Sequence, residues 1–139
     1  MMTDMSAIQA AGLWSGLLIL VLIVLSVRVV INRRRHKVIL GDGGNEEMIV
    51  AARGFGNAAE YTPVAMGALV LLALTGFAPW VIHVIGGTFF VGRLIHPSGL
   101  AFGSGPRPAR VIGMMLTWLP LLAAAAMLIA CPLLGMATA

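Results

Sequence analysis

The stretch ARGFGNAAEYTP, residues 52–63, sets Arg53, Asn57 and Glu60 at spacings of four and three in an otherwise apolar part of the chain. On a helix of about 3.6 residues per turn these three side chains share one face, with Tyr61 turned about 100° away from Glu60. Side by side, a guanidinium, an amide and a carboxylate suit the carboxylate, peptide-like group and ammonium of a small zwitterionic ligand. If this helix begins near residue 47, Arg53 lies about 9 Å along it and Glu60 about 20 Å, at about 1.5 Å per residue. Snorkelling serves an arginine at that depth better than a glutamate, and ionisable groups inside a bundle face a partner or a polar cavity. The same spacing also fits an internal network in which Glu60 pairs with an arginine, Asn57 bridges, and the helices are held in register.

A second polar cluster lies in GRLIHPSGLAFGSGPRPAR, residues 92–110. Arg93 and His96 are three apart on one helical face, and Arg107 and Arg110 straddle the start of the next apolar run. Arginines converging on an acid-bearing face make an anion site, and a fixed positive charge beside a thiol lowers its pKa. As topology determinants the same arginines need no ligand. His96 has the chemistry of an acid, a hydrogen-bond donor or a packing residue. His83 belongs to the opposite end of its helix and reads as interfacial, and His36 belongs to a basic loop. No His, Cys and acid set has metal-ligand spacing, so no metal is expected, and no phosphate loop is present. Cys131 is the single cysteine, which excludes an internal disulfide and suits a small apolar packing residue.

The elements that must position these groups follow from where charge is missing. The 139 residues are 60% hydrophobic and 10% charged, against about a quarter charged in soluble domains. No Asp, Glu, Lys or Arg occurs between Asp4 and Arg28, between Glu60 and Arg93, or after Arg110. A membrane helix needs roughly 20 apolar residues. The first and last gaps each hold one, and the middle gap holds parts of two, divided at Gly76-Phe-Ala-Pro79. The expected fold class is therefore an all-α integral membrane protein, a four-helix bundle with helices at about 6–31, 47–75, 80–97 and 108–134 in a single domain spanning 1–139. A soluble all-apolar helical core is the rival. The first run lacks a basic leader and ends in arginines, so it reads as a retained helix and not a cleaved signal.

Asp42-Gly-Gly-Asn45 is turn chemistry, with Asn45 placed to cap the second helix and Glu46 and Glu47 in its first turn. Pro63 lacks an N–H and is placed to widen or kink that helix, while Gly54 and Gly56 allow a neighbouring helix close approach. Trp80 suits the interface beyond the hairpin, and Pro108 suits a first helical turn. All nine Lys and Arg residues fall in 28–53 or 93–110, and the net charge is +4. Such sparse charge, tied to helix ends, speaks against nucleic acid. By the positive-inside rule both basic regions are cytoplasmic, both termini are non-cytoplasmic, and the chemistry sits on the cytoplasmic side.

The motif RGFGNAAEYTP resembles the second-helix signature of the membrane-associated proteins in eicosanoid and glutathione metabolism, the MAPEG family. HKVILGDGGNEEM, HVIGGTFFVGRLIHPSGL and RVIGMMLT look especially like its small bacterial inner-membrane branch, and the resemblance covers nearly the whole chain. It implies a homotrimer of four-helix subunits holding glutathione between neighbours at the cytoplasmic side. By the same resemblance Arg53, Asn57, Glu60, Tyr61, Arg93 and His96 would contact glutathione, and an arginine near the start of the fourth helix would activate its thiol. Arg110 fits the bacterial pattern through Arg110-Val-Ile-Gly113, and Arg107 fits the spacing of some eukaryotic members. Leu100 stands where several members have an aromatic hydroxyl, and Gly54-Phe55-Gly56 replaces a more polar segment.

The implied activity is that of a glutathione transferase or peroxidase, an arginine-stabilised thiolate attacking a small lipophilic electrophile that arrives from the lipid bilayer. A non-catalytic membrane protein binding anionic lipid or another small ligand at the same face is the alternative. A transporter would be expected to show an inverted repeat, and none is visible.

Overall fold

Ser6 and Gln9 open the first helix as a reciprocal capping box. The Gln9 N–H donates to Ser6 Oγ at 3.3 Å, and the Ser6 N–H donates to Gln9 Oε1 at 2.9 Å. The computed structural model describes residues 5–100 and 108–134, which form α1 (Ala7–His36), α2 (Glu46–Leu74), α3 (Pro79–Leu100) and α4 (Pro108–Leu133). Three of them, α1, α2 and α4, are long and apolar enough to cross a membrane. The sequence reading had four. The described part of α3 is diluted by His83, Arg93 and His96, of which Arg93 and His96 are buried.

The first helix runs five residues beyond its expected end at Ile31. Arg33, Arg34, Arg35 and His36 form its last turn, where positive charge meets the negative end of the helix dipole. Lys37 then adopts a left-handed conformation with φ 54°, and its N–H donates to the Arg34 carbonyl while the Val38 N–H donates to the Arg33 carbonyl. That pairing is a Schellman closure, and it turns the chain back toward the bundle. The Arg33 guanidinium holds the turned segment by donating to the carbonyls of Ile39 at 3.1 Å and Gly41 at 3.2 Å.

Asn45 starts α2 as expected, its Oδ1 accepting the Met48 N–H at 3.1 Å, with Glu46 and Glu47 in the first turn. Glu47 meets His36 at 2.9 Å and Arg35 at 3.6 Å, which ties the two helix ends together. α2 continues as one helix through Pro63. Likewise α3 passes through Pro97 to Leu100, where the sequence reading ended it near Pro97.

α1 pairs with α2 and α3 with α4, while α2 and α3 form the middle of the bundle; among the described residues α1 and α4 do not touch. The end opposite the arginines is filled by Ala10, Ala11, Leu69, Leu72, Val81, Ile82, Ile85 and Ala124. Leu18, Ala65 and Phe89 continue the core toward the middle. The outer faces are apolar as well, with Val24, Leu122 and Leu133 among the exposed side chains. That inverted surface is suited to lipid.

Glycine sets the distance between α3 and α4. A Cβ at Gly113 would lie 2.7 Å from the His96 backbone, and one at Gly92 would lie 3.0 Å from the Gly113 carbonyl oxygen. This close approach brings the polar residues of α3 against those of α4.

Candidate ligand site at the basic end of the bundle

At the arginine-bearing end a cavity of about 430 Å³ opens between the helices. That volume falls in the range of about 300–1,000 Å³ typical of small-molecule sites. The face expected on the second helix forms one wall: Arg53, Asn57 and Glu60 all line the cavity. Gly56 lines it too, with nothing within 4 Å of the position its Cβ would take. It opens space for the cavity, where the sequence reading gave it to a helix contact. His96 from α3 and Arg110 from α4 complete the opposite side.

Two further contributors, Arg33 and Asp42, were not foreseen. The sequence reading assigned the first to a basic cluster and the second to turn chemistry. Both reach the cavity because the Schellman turn folds the α1–α2 connection back. Asp42 Oδ1 accepts the Gly44 N–H at 2.9 Å, and Gly41, Gly43 and Gly44 all have positive φ, which only glycine adopts readily. A run of Asp and Gly directly after an arginine-rich helix end was the available signal.

The cavity thus gathers three guanidiniums, two carboxylates, an amide and an imidazole. Arg53, Glu60 and Arg110 are exposed, and among the described residues none of them forms an ion pair. Of the alternative, a structural network, the Asn57 bridge is present through Arg93, while among the described residues Glu60 is not clamped to an arginine. His96 is 4% exposed, and its Nδ1 is buried with no hydrogen-bond partner among the described residues. His96 thus lines the cavity through the edge of its ring, while its Nδ1 is turned into the protein.

Arg93 and Tyr61 lie elsewhere. Arg93 is 1% exposed and sits behind the α2 wall, where Nη1 donates to Asn57 Oδ1 at 2.7 Å. Its Nη2 donates to Thr117 Oγ1 and to the Gly113 carbonyl at 3.4 Å. The guanidinium lies 5.8 Å from the Tyr61 ring centroid and 5.5 Å from that of Phe89. Tyr61 in turn accepts the Trp118 Nε1–H at 3.2 Å. Neither residue lines the cavity. Thr117 was missed, although Arg110, Gly113 and Thr117 are spaced by three and four on one face of α4. Arg107 and the side chain of Leu100 lie outside the described residues.

At the other end, His83 is held by α1: Trp14 Nε1 donates to His83 Nδ1 at 3.2 Å, with the rings edge to face.

An apolar exterior around four helices, three of them long enough to cross a bilayer, defines a helical membrane protein with a polar cavity at one end. A sequence model of the MAPEG family matches residues 11–130, and the chain belongs to that family. It is 36% identical over 114 residues to the inner membrane protein YecN of Escherichia coli K12, covering 82% of this chain and 86% of the relative. The YecN protein of Escherichia coli strain CFT073 matches to the same extent.

Proposed function

We propose that the cavity binds glutathione and that the protein is a glutathione transferase or peroxidase acting on lipophilic electrophiles. The observation that carries this reading is the convergence of Arg53, Asn57, Glu60, His96 and Arg110 on one cavity in a member of this family. Glutathione offers two carboxylates, an ammonium and peptide groups. The guanidiniums of Arg53 and Arg33 suit the carboxylates, and Glu60 or Asp42 suits the ammonium.

When bound, glutathione supplies the nucleophilic sulfur. Arg110 lines the cavity without a carboxylate partner among the described residues, so its charge is placed to hold a thiolate at neutral pH. In the transferase reaction sulfur bonds to the electrophilic carbon, the leaving group departs with its bonding pair, and the thiol proton passes to solvent.

In this reading the protein lies in a bacterial inner membrane as a homotrimer. Its basic end is cytoplasmic and both termini are on the other side, as the distribution of Lys and Arg favours. Arg53 and Glu60 stand at an exposed edge of the cavity, where a neighbouring subunit would complete the site. Three guanidiniums at one cavity also fit a second reading, retention of a small anion or a lipid headgroup without turnover.

A glutathione titration in detergent, followed by ultraviolet difference spectroscopy, tests the proposal. Thiolate absorbance is expected to rise in wild type and in Arg107→Ala and to be lost in Arg110→Ala, with conjugation of a model aromatic halide following the same order. Binding without a thiolate signal favours the second reading, and absence of binding overturns the first.

A further inference from the structure

We infer that Arg93 is a positioning residue: it captures the Asn57 side-chain oxygen from behind, so that the ligand cavity meets only the Asn57 N–H donors. This rests on the proposed ligand site and assigns it a preference, a carbonyl or carboxylate oxygen opposite Asn57.

Arginine has five N–H donors and no acceptor, whereas an asparagine amide offers oxygen on one side and nitrogen on the other. The group 2.7 Å from Arg93 Nη1 must therefore be the Asn57 oxygen, as the structure has it. Asn57 also lines the cavity, so its NH₂ is the half left for a ligand. An unrestrained amide would present either end and favour neither donors nor acceptors.

Arg93 cannot readily turn away. The Thr117 hydroxyl donates to the Gly113 carbonyl at 2.7 Å, which leaves its lone pairs for the Arg93 Nη2. The Tyr61 and Phe89 rings enclose the guanidinium, and cations are attracted to ring faces at such distances. The fixed order is therefore Asn57 on α2, Arg93 on α3 and Thr117 on α4, three helices joined through one side chain. A buried cation with no carboxylate bonded to it among the described residues is costly, and it also polarises the amide it holds into a stronger donor.

The test separates this role from simple packing. Arg93→Met removes the restraint on Asn57, and Arg93→Lys restores one donor without the planar contacts to Thr117 and Gly113. Glutathione affinity is expected to fall about tenfold in Arg93→Met and to recover most of that in Arg93→Lys, the scale of one charge-assisted hydrogen bond. The thermal midpoints of both variants are expected to be similarly lowered. Affinity that tracks the thermal midpoint across the two overturns the inference.

A ligand-free arm uses Asn57→Asp and Asn57→Leu, each with Arg93 present and with Arg93→Met. Aspartate keeps an acceptor for Arg93 and leucine does not, so the midpoint of Asn57→Asp relative to that of Asn57→Leu should be higher with Arg93 present than with Arg93→Met. The same difference in both backgrounds overturns the inference whether or not glutathione binds. Wild-type protein that fails to bind glutathione removes the proposed function and leaves this arm to decide the Arg93–Asn57 arrangement.

Discussion

The two ends of the bundle solve opposite problems. Opposite the arginines, Ala10, Ala11, Leu72, Ile82 and Ala124 are fully buried, and Trp14 packs so tightly on Gly86 that a Cβ there would lie 2.5 Å from the indole. The polar pair at that end, Trp14 and His83, satisfies itself. At the basic end a cavity is kept open, Arg53, Glu60 and Arg110 have no ion-pair partner among the described residues, and the His96 Nδ1 is orphaned. Natural proteins satisfy their buried polar groups almost everywhere. Around the cavity two buried nitrogens, His96 Nδ1 and Arg93 Nε, are unmet among the described residues, whereas the closed end leaves only Ser15 Oγ unmet and keeps its half-buried Trp14–His83 pair complete. The open end is where stability has been set aside for a ligand.

The sharpest way to break this contrast is to insert a side chain at matched glycines. Gly113→Val drives atoms into the His96 backbone, and Gly86→Val drives them into Trp14. Each is expected to destabilise by about 3 kcal/mol, the upper range for overpacking, which exceeds the gain of a few tenths of a kcal/mol in helix propensity on replacing glycine with valine. Thermal midpoints in detergent should fall alike. Glutathione binding, measured well below either midpoint, should be lost only in Gly113→Val, because only that change separates α3 from α4 at the cavity. Equal loss of binding in both would mean that the two ends are not independent.

A smaller effect sharpens the contrast from the other side. Arg53 and Glu60 are exposed and without an ion pair among the described residues, so Arg53→Ala and Glu60→Gln should move the thermal midpoint little, within about 0.5 kcal/mol of stability. Each should nevertheless weaken glutathione binding by about tenfold, the scale of a hydrogen bond to a charged group. Isothermal titration in detergent checks both. A large loss of stability in either variant would return these residues to a structural network.

What the sequence made legible divides along the same line. The four helices were readable because charge-free runs of membrane length leave few other folds, and Asn45 marked the start of α2 because a cap is a local device. The Arg53, Asn57 and Glu60 face was readable because helical spacing alone places it on one wall. Arg33 and Asp42 were not, since their arrival depends on how a connection folds back over the helices it joins. The part played by Arg93 was hidden for a related reason. Its direction is set by Gly113 and Thr117 on another helix, and spacing within α3 carries no information about them. The end of α1 was misplaced because a run of arginines suits a loop and a helix C-terminus equally.

The smallest expected effect concerns the half-buried Trp14–His83 pair at the closed end. Trp14→Phe keeps a ring to pack against Gly86 and Gly87 and removes the N–H that His83 accepts. One neutral hydrogen bond is worth about 1 kcal/mol net, and the imidazole left behind is half-buried, so the loss should be of that order. His83→Phe in the same background should cost little more, because the second substitution removes a group that has already lost its partner. The two changes would then be non-additive by roughly 1 kcal/mol, the coupling expected for residues in contact. Glutathione affinity should stay at the wild-type value in all three variants, since the pair lies at the far end from the cavity. A change in affinity would show that the closed end tunes the open one through the helices they share.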